Sequence, residues 1–259
     1  MSADGIGPGE ALKHVLIFAR RNLLHIKADP EQISGMTIQP LMFLVLFVYV
    51  FGGAISGSSQ EYLQFALPGQ MVMITSFIAF ETGLGLSADF QRGLVDRFRS
   101  LPIARSAVIT GRVLADGVRI VWGILILAAF GIIFGFRFEN GVTGALGAMA
   151  LASAFGMTLC WPMAYIGVRS KSPESVNTWG FLFVFPLIFA SSVFVPTDSM
   201  PGWLASFANV NPFTLVSDAA RGLMLGGAVA GPLTGSIGWM AAITVVFGAL
   251  AVRRYRRRT

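Results

Sequence analysis

Residues 93–106 read "GLVDRFRSLPIARS" and lie between two long apolar runs. Arg97, Arg99 and Arg105 stand close together there, with Asp96, Phe98 and Pro102 among them. The surrounding chain of 259 residues is 54% hydrophobic and only 12% charged. A soluble domain carries about 25% charged residues. With a mean hydropathy of +0.70, this much apolar surface needs lipid as its solvent. The net charge of +6 would suggest nucleic acid in a soluble protein. Here the basic residues occupy particular loops, so they report topology instead.

Working outward from that loop, six segments are long and apolar enough to cross about 30 Å of hydrocarbon as helices. They cover residues 36–56, 65–87, 113–136, 142–168, 176–195 and 233–252. Helices are expected because each satisfies its own backbone hydrogen bonds, and the segments are too long and too uniformly apolar for barrel strands. Pro40, Pro162 and Pro186 fall inside them and are expected to kink them. The fold class is therefore an all-α membrane protein. Residues 1–35 form an N-terminal segment, 36–252 a six-helix transmembrane domain and 253–259 a basic tail.

The loops orient the helices. Lys13, Arg20, Arg21 and Lys27 precede the first span. Arg92, Arg97, Arg99, Arg105, Arg112 and Arg119 separate the second from the third. Arg169 and Lys171 follow the fourth, and Arg253, Arg254, Arg256, Arg257 and Arg258 form the tail. Of the nineteen basic residues, only Arg137 and Arg221 fall on the other side. That asymmetry places both termini in the cytoplasm and supports an even number of spans in a plasma membrane. Residues 1–35 lack a compact apolar core with a small-residue cleavage site, so the first span is expected to stay in the membrane.

The N-terminal segment has a different character. Leu12, Leu16, Ala19, Leu23 and Ile26 recur every three or four residues, with the basic residues largely off that stripe. An amphipathic helix over residues 12–27 follows, ended by Asp29-Pro30. It would lie at the interface against anionic headgroups, or pack on a soluble partner, or both. On the far side, residues 196–232 form the longest connection. Trp203, Leu204, Phe207 and Ala208 suggest one short helix, and residues 215–225 another. Neither can span, so they dip into the outer leaflet, cap the outer mouth or form an interfacial loop.

Wound as a helix, residues 89–101 put Phe90, Leu94, Phe98 and Leu101 on one face, and Arg92, Asp96 and Arg99 on another. Pro102 stops the helix. A purely topogenic loop needs positive charge alone. An apolar stripe ending in Ser-Leu-Pro points to a helix that docks, with its charges setting register.

These residues carry a resemblance. "GLVDRFRSLPIARSAVITGRVLADGVR" is similar to the cytoplasmic loop of ABC transporter permeases of the type-2 export class, in the daunorubicin-resistance (DrrB-like) branch. "PEQISGMTIQPLMFLVLFVYVFGGAI", residues 30–55, resembles that family's entry to its first span. "FVPTDSMPGWLASFANVNPFT" and "DAARGLMLGG" resemble its outer segment. The resemblance implies that residues 89–101 are the coupling helix, seated on a separate ATP-hydrolysing subunit. Phe90, Leu94, Phe98 and Leu101 would pack there, and Asp96, Arg97 and Arg99 would make polar contacts. It also implies that residues 12–27 are the connecting helix and that the outer helices are a re-entrant pair. Two such permeases, or this one and a homologous permease, would pair over two ATPase subunits that hold ATP and Mg. Export rather than import also comes from the resemblance. Drugs, antibiotics, lipid-like molecules, polysaccharides and glycolipids are all cargo of this class.

The chain lacks chemistry of its own. No Gly-x-x-x-x-Gly-Lys-Ser/Thr occurs, so no phosphate-cradling loop and no bound cofactor are expected. His14 and His25 are the only histidines and make no His-Glu-x-x-His metal site. The Gly-x-Ser-x-Gly nucleophile elbow is absent. Cys160, the single cysteine, reads as a small buried apolar residue. Glu81 is the one acidic residue inside a predicted span, with Asp116 expected at the interface. Two roles fit Glu81: it lines or gates a route, or it forms a structural salt bridge near the interface. A lipid-modifying enzyme would need more polar residues at one face. An ion-coupled transporter would draw on Glu81, but no inverted repeat is visible.

Overall fold

The computed structural model describes residues 8–27, 30–93 and 105–257. All of the regular structure among them is helical. Helix α1 covers Pro8–Lys27 and α2 Pro30–Leu46. A π-helical turn, Phe47–Phe51, joins α2 to the short α3, Gly52–Ser56. Then come α4 (Ser59–Gln91), α5 (Arg105–Ile133), α6 (Gly141–Arg169) and α7 (Pro173–Phe189). The chain closes with α8 (Gly202–Val210), α9 (Pro212–Leu225) and α10 (Ala230–Arg257).

The longest helix, α4, is the hub. Ser58 caps it by accepting from the Glu61 amide at 3.1 Å. Its 33 residues extend about 50 Å, so it overshoots the hydrocarbon at its ends. Most of its apolar length is buried inside the bundle. Glycines set how closely the neighbours approach. A Cβ on Gly83 would lie 2.7 Å from the Met163 carbonyl oxygen of α6, and one on Gly156 would lie 2.6 Å from Thr75 Cβ of α4. Bare backbone on both sides of this seam is what lets α4 and α6 touch.

The two ends of the bundle are defined by contacts. At one end Gln91 donates to the Lys171 carbonyl at 3.3 Å, and Phe90 lies 5.6 Å from Tyr255. The end of α4, the α6–α7 turn and the end of α10 therefore lie together. At the other, Gln60 donates to the Gly135 carbonyl at 2.7 Å and Asn140 Nδ2 to that of Leu223 at 3.1 Å. The first is called the arginine end below, because residues 93–105 leave from it.

Five segments are long and apolar enough to cross a membrane: Thr37–Ser56, Ser59–Gln91, Ala107–Ile133, Gly141–Arg169 and Ala230–Tyr255. They match five of the six expected spans. The expected segment 176–195 differs. Its helix, α7, has 17 residues and ends at Phe189. Pro186 lies inside α7 and supplies no amide donor to it. Carbonyls at the end of the helix are taken up instead by the Asn211 side chain, which donates to Leu187 at 2.7 Å and Ala190 at 2.8 Å. Ser191, Ser192 and Val193 follow as a buried non-helical turn.

The same Asn211 begins α9, accepting from the Phe213 amide at 2.9 Å. Phe213 meets Phe155 of α6 edge-on, with centroids 5.1 Å apart. At the other end of α9, the Met224 carbonyl accepts from the Asn140 amide at 3.1 Å. So α9 runs antiparallel to the first half of α6, from about 20 Å inside it back to its start. Trp239, well within α10, donates to the Val210 carbonyl at 3.0 Å. The α8–α9 turn therefore packs beside α10 at the level of Trp239.

Helix α1 packs on α5 at Gly111, where a Cβ would lie 2.6 Å from Phe18 Cβ and 2.8 Å from the Val15 carbonyl oxygen. Phe18 and Ala19 are buried, whereas Leu16 and Ile17 are 57% and 55% exposed. The glycine on α5 selects which face of α1 docks, and helical period alone could not. Side chains of Leu12, Leu23 and Ile26 lie outside the described residues.

Filling the α4–α6 seam should disrupt the bundle. Gly83→Leu is expected to lower stability by about 3 kcal/mol or more, read as loss of monodisperse protein and a lower Tm. Gly238→Leu, in open space on α10, should leave both unchanged.

Candidate functional site: two charge clusters and an aromatic face

At the arginine end, α4 stops at Gln91; Arg92 caps it and Gly93 takes a φ of +66°. A glycine in the left-handed region terminates a helix. Residues 89–101 are therefore not one continuous helix: Asp89 and Phe90 are the last turn of the hub helix. Phe90 is spent on Tyr255 of α10, and Asp89 sits 3.7 Å from Arg112 of α5. The rest of the expected coupling set, Leu94, Asp96, Arg97, Phe98, Arg99 and Leu101, lies outside the described residues.

Just inside this end is a buried ion cluster. Asp116 is 2% exposed and Arg119 6%. Asp116 accepts from Thr82 Oγ1 of α4 at 2.5 Å and from Arg119 Nη1 at 3.1 Å. Arg112 Nε lies 3.8 Å from the same carboxylate, and Arg112 Nη2 donates to the Glu81 carbonyl at 3.0 Å. The guanidinium lies across Gly85, in space a side chain would occupy. Two expectations are corrected here. Arg112 and Arg119 belong to α5 rather than to the loop, and Asp116 is buried rather than interfacial. Their spacing carried the signal: Arg112, Asp116 and Arg119 share one helical face at four and three residues. A buried carboxylate needs partners of this kind.

A second cluster, missed in the sequence, lies near the opposite end on α9. Arg221 Nε donates to the Phe65 carbonyl at 2.8 Å, and its Nη1 donates to Ser192 Oγ at 3.0 Å and Asp218 Oδ1 at 2.5 Å. Its Nη2 donates to the Ser192 carbonyl. The guanidinium also stacks 3.9 Å from the Phe65 ring centroid. Ser192 Oγ donates in turn to Asp218 at 2.7 Å. One cation thus ties α9, α4 and the turn after α7 together. The sequence offered only the pair Asp218 and Arg221, three residues apart on a helix.

Between α2 and α7, α4 presents an aromatic face. Phe77 lies 6.2 Å from Phe43 of α2 and 6.3 Å from Phe185 of α7. Phe47 stacks on Phe194 at 4.3 Å, and Phe194 meets Phe189 at 5.4 Å. Phe181 and Phe189 remain largely exposed. Glu81 stands one turn from Phe77 on the same side of α4. It is half-buried, and its carboxylate pairs with no cation among the described residues. A face of this kind can hold flat or apolar groups on its rings and a donor or cation at its one carboxylate. Among the described residues, no three His, Cys, Asp or Glu side chains group as metal ligands do.

Five segments long and apolar enough to cross a membrane thus pack together with α4 as their hub, and an arginine-bearing segment joins α4 to α5. The chain belongs to the ABC-2 type transporter family, whose model matches residues 13–225. It is 35% identical to the "Daunorubicin resistance ABC transporter permease protein DrrB1" of Streptomyces coeruleorubidus, over 96% of this chain and 88% of that protein. It is 27% identical to the "Probable doxorubicin resistance ABC transporter permease protein DrrC" of Mycobacterium tuberculosis, over 93% and 88%.

Asp116→Ala should leave Arg119 buried without its counter-charge. A loss of about 3–5 kcal/mol is expected, read as a lower Tm of the purified protein. Adding Arg119→Met should recover part of it.

Proposed function

We propose that this chain is the membrane half of an ATP-driven exporter of hydrophobic or amphipathic molecules, drugs and antibiotics among them. Two copies, or this chain and a homologous permease, enclose the route. Two separate ATPase subunits bind ATP and Mg beneath them. The arginine end faces the cytoplasm, with both termini, and α7 completes six crossings despite its length. Relatives named for daunorubicin and doxorubicin resistance support the cargo class.

The observation that carries the reading is the aromatic face with the Glu81 carboxylate, which no cation among the described residues pairs. It lies on α2, α4 and α7, where apolar rings would otherwise have no reason to surround a half-buried acid. Cargo would lie against Phe43, Phe77 and Phe185, with Glu81 at its polar edge. ATP-driven closure of the ATPase pair would push on residues 94–101. Because α4 ends at that loop and α5 begins after it, the push reaches both helices at once. The Asp116 cluster binds those helices together, so they would move as one body and reshape the face above.

Phe98→Asp is expected to leave insertion intact and cut cargo export about tenfold or more, as when a buried interface anchor is lost, while the ATPase still hydrolyses ATP. Wild-type export at normal expression would remove the coupling role. Glu81→Gln should reduce export of a cationic amphiphile while sparing a neutral one of similar size. Equal effects on both would assign Glu81 to structure.

A further inference from the structure

Helices α6 and α10 lie side by side and run in the same direction. Thr158 Oγ1 and Thr244 Oγ1 are 3.5 Å apart, and Tyr165 meets Phe247 edge-on at 6.1 Å. Outside this seam is an open groove of about 580 Å³, lined by Trp161 of α6 and by Thr244, Val245, Gly248, Val252 and Arg253 of α10. Position 248, on its wall, has no side chain. Trp161 ring carbons come within 3.6 Å of where a Cβ would stand. From Thr244 to Arg253 the trough extends about 13 Å, and its walls are almost wholly hydrocarbon.

Its mouth has a different chemistry. Arg253 is exposed and forms no ion pair among the described residues. Residues 230–259 contain no Asp or Glu, and residues 253–258 hold five arginines around Tyr255. Arg169 is exposed at the same end of α6, two turns beyond Trp161, and donates to the Tyr165 hydroxyl at 3.4 Å. The Trp161 indole N–H has no acceptor among the described residues. An occupant must therefore be apolar along the trough and anionic at one end. It must also reach the site from hydrocarbon, because the groove opens on the outside of a spanning helix pair.

We infer that the α6–α10 groove is a binding site for an anionic phospholipid. One acyl chain lies along Trp161 and Gly248, and the phosphate lies at Arg253. Such a lipid would set the depth of α10, which buries little of its apolar length in the bundle. The inference is independent of the nature of the cargo.

The test uses the full chain in phosphatidylcholine vesicles doped with brominated phosphatidylglycerol or, at the same mole fraction, brominated phosphatidylcholine. Trp161's share of the quenching is read as the difference from Trp161→Phe. The anionic lipid is expected to quench Trp161 with about fivefold preference, the weight of one cation at the membrane surface. Arg253→Gln should abolish the preference and Arg254→Gln preserve it. Gly248→Leu should remove quenching by both lipids. Equal quenching by the two lipids in the wild type would overturn the inference, as would a preference that survives Arg253→Gln. No quenching of Trp161 by either lipid would also overturn it, and would mean that a second copy of the chain covers the groove.

Discussion

The close approach of α4 and α6 is the constraint on which the other contacts depend. In lipid, apolar side chains gain nothing by leaving their solvent for one another, so helices associate through packing and hydrogen bonds. Gly83 and Gly156 remove the side chains that would hold these two helices apart. Once α4 is seated, its remaining faces become template surfaces. Thr82 and Asp89 meet α5, Phe65 and Gly69 meet the Arg221 cluster, and Phe77 meets α2 and α7. Helix α9 depends on the same seam, because it fills the space beside the first half of α6.

Charge does structural work at two levels of the bundle. Near the arginine end, Asp116 joins α4 to α5 through Thr82, Arg112 and Arg119. Near the other end, Arg221 joins α9 to α4 and to the turn after α7. Buried ions hold their partners in one geometry because losing any partner leaves an uncompensated charge in a low dielectric. The stretch of α4 between the clusters carries instead a loosely covered aromatic face around Phe77. Tight polar ties at both levels and open apolar surface between them are suited to a protein that changes shape in its middle.

Much of this molecule was legible in its sequence. Hydropathy located five spans, with two of their starts six residues late, because a span must hold about 20 apolar residues whatever its neighbours are. The short outer helices were visible because Pro and Gly bound them. Family membership was legible in the run around Asp96, Phe98 and Pro102. Other features were hidden for physical reasons. Arg119 looked like a loop cation, since nothing local reveals that Asp116 and Thr82 neutralise it. The docking stripe of α1 depended on Gly111, which is distant in sequence. The helix expected to run through Phe90 and Leu94 is cut at Gly93, whose left-handed backbone outweighed the apolar period.

What the chain's sequence alone determined was its solvent, its helical class, its loop asymmetry and its lack of a phosphate-binding loop. These follow from composition and local spacing, which require no knowledge of neighbours. The tertiary structure alone decided which charges pair and where α9 packs. It also decided that Asp116 has two cations beside it, and that α6 and α10 leave a groove over Gly248. These depend on which distant backbones come within a few ångströms of each other, and short-range sequence pattern contains no such distances.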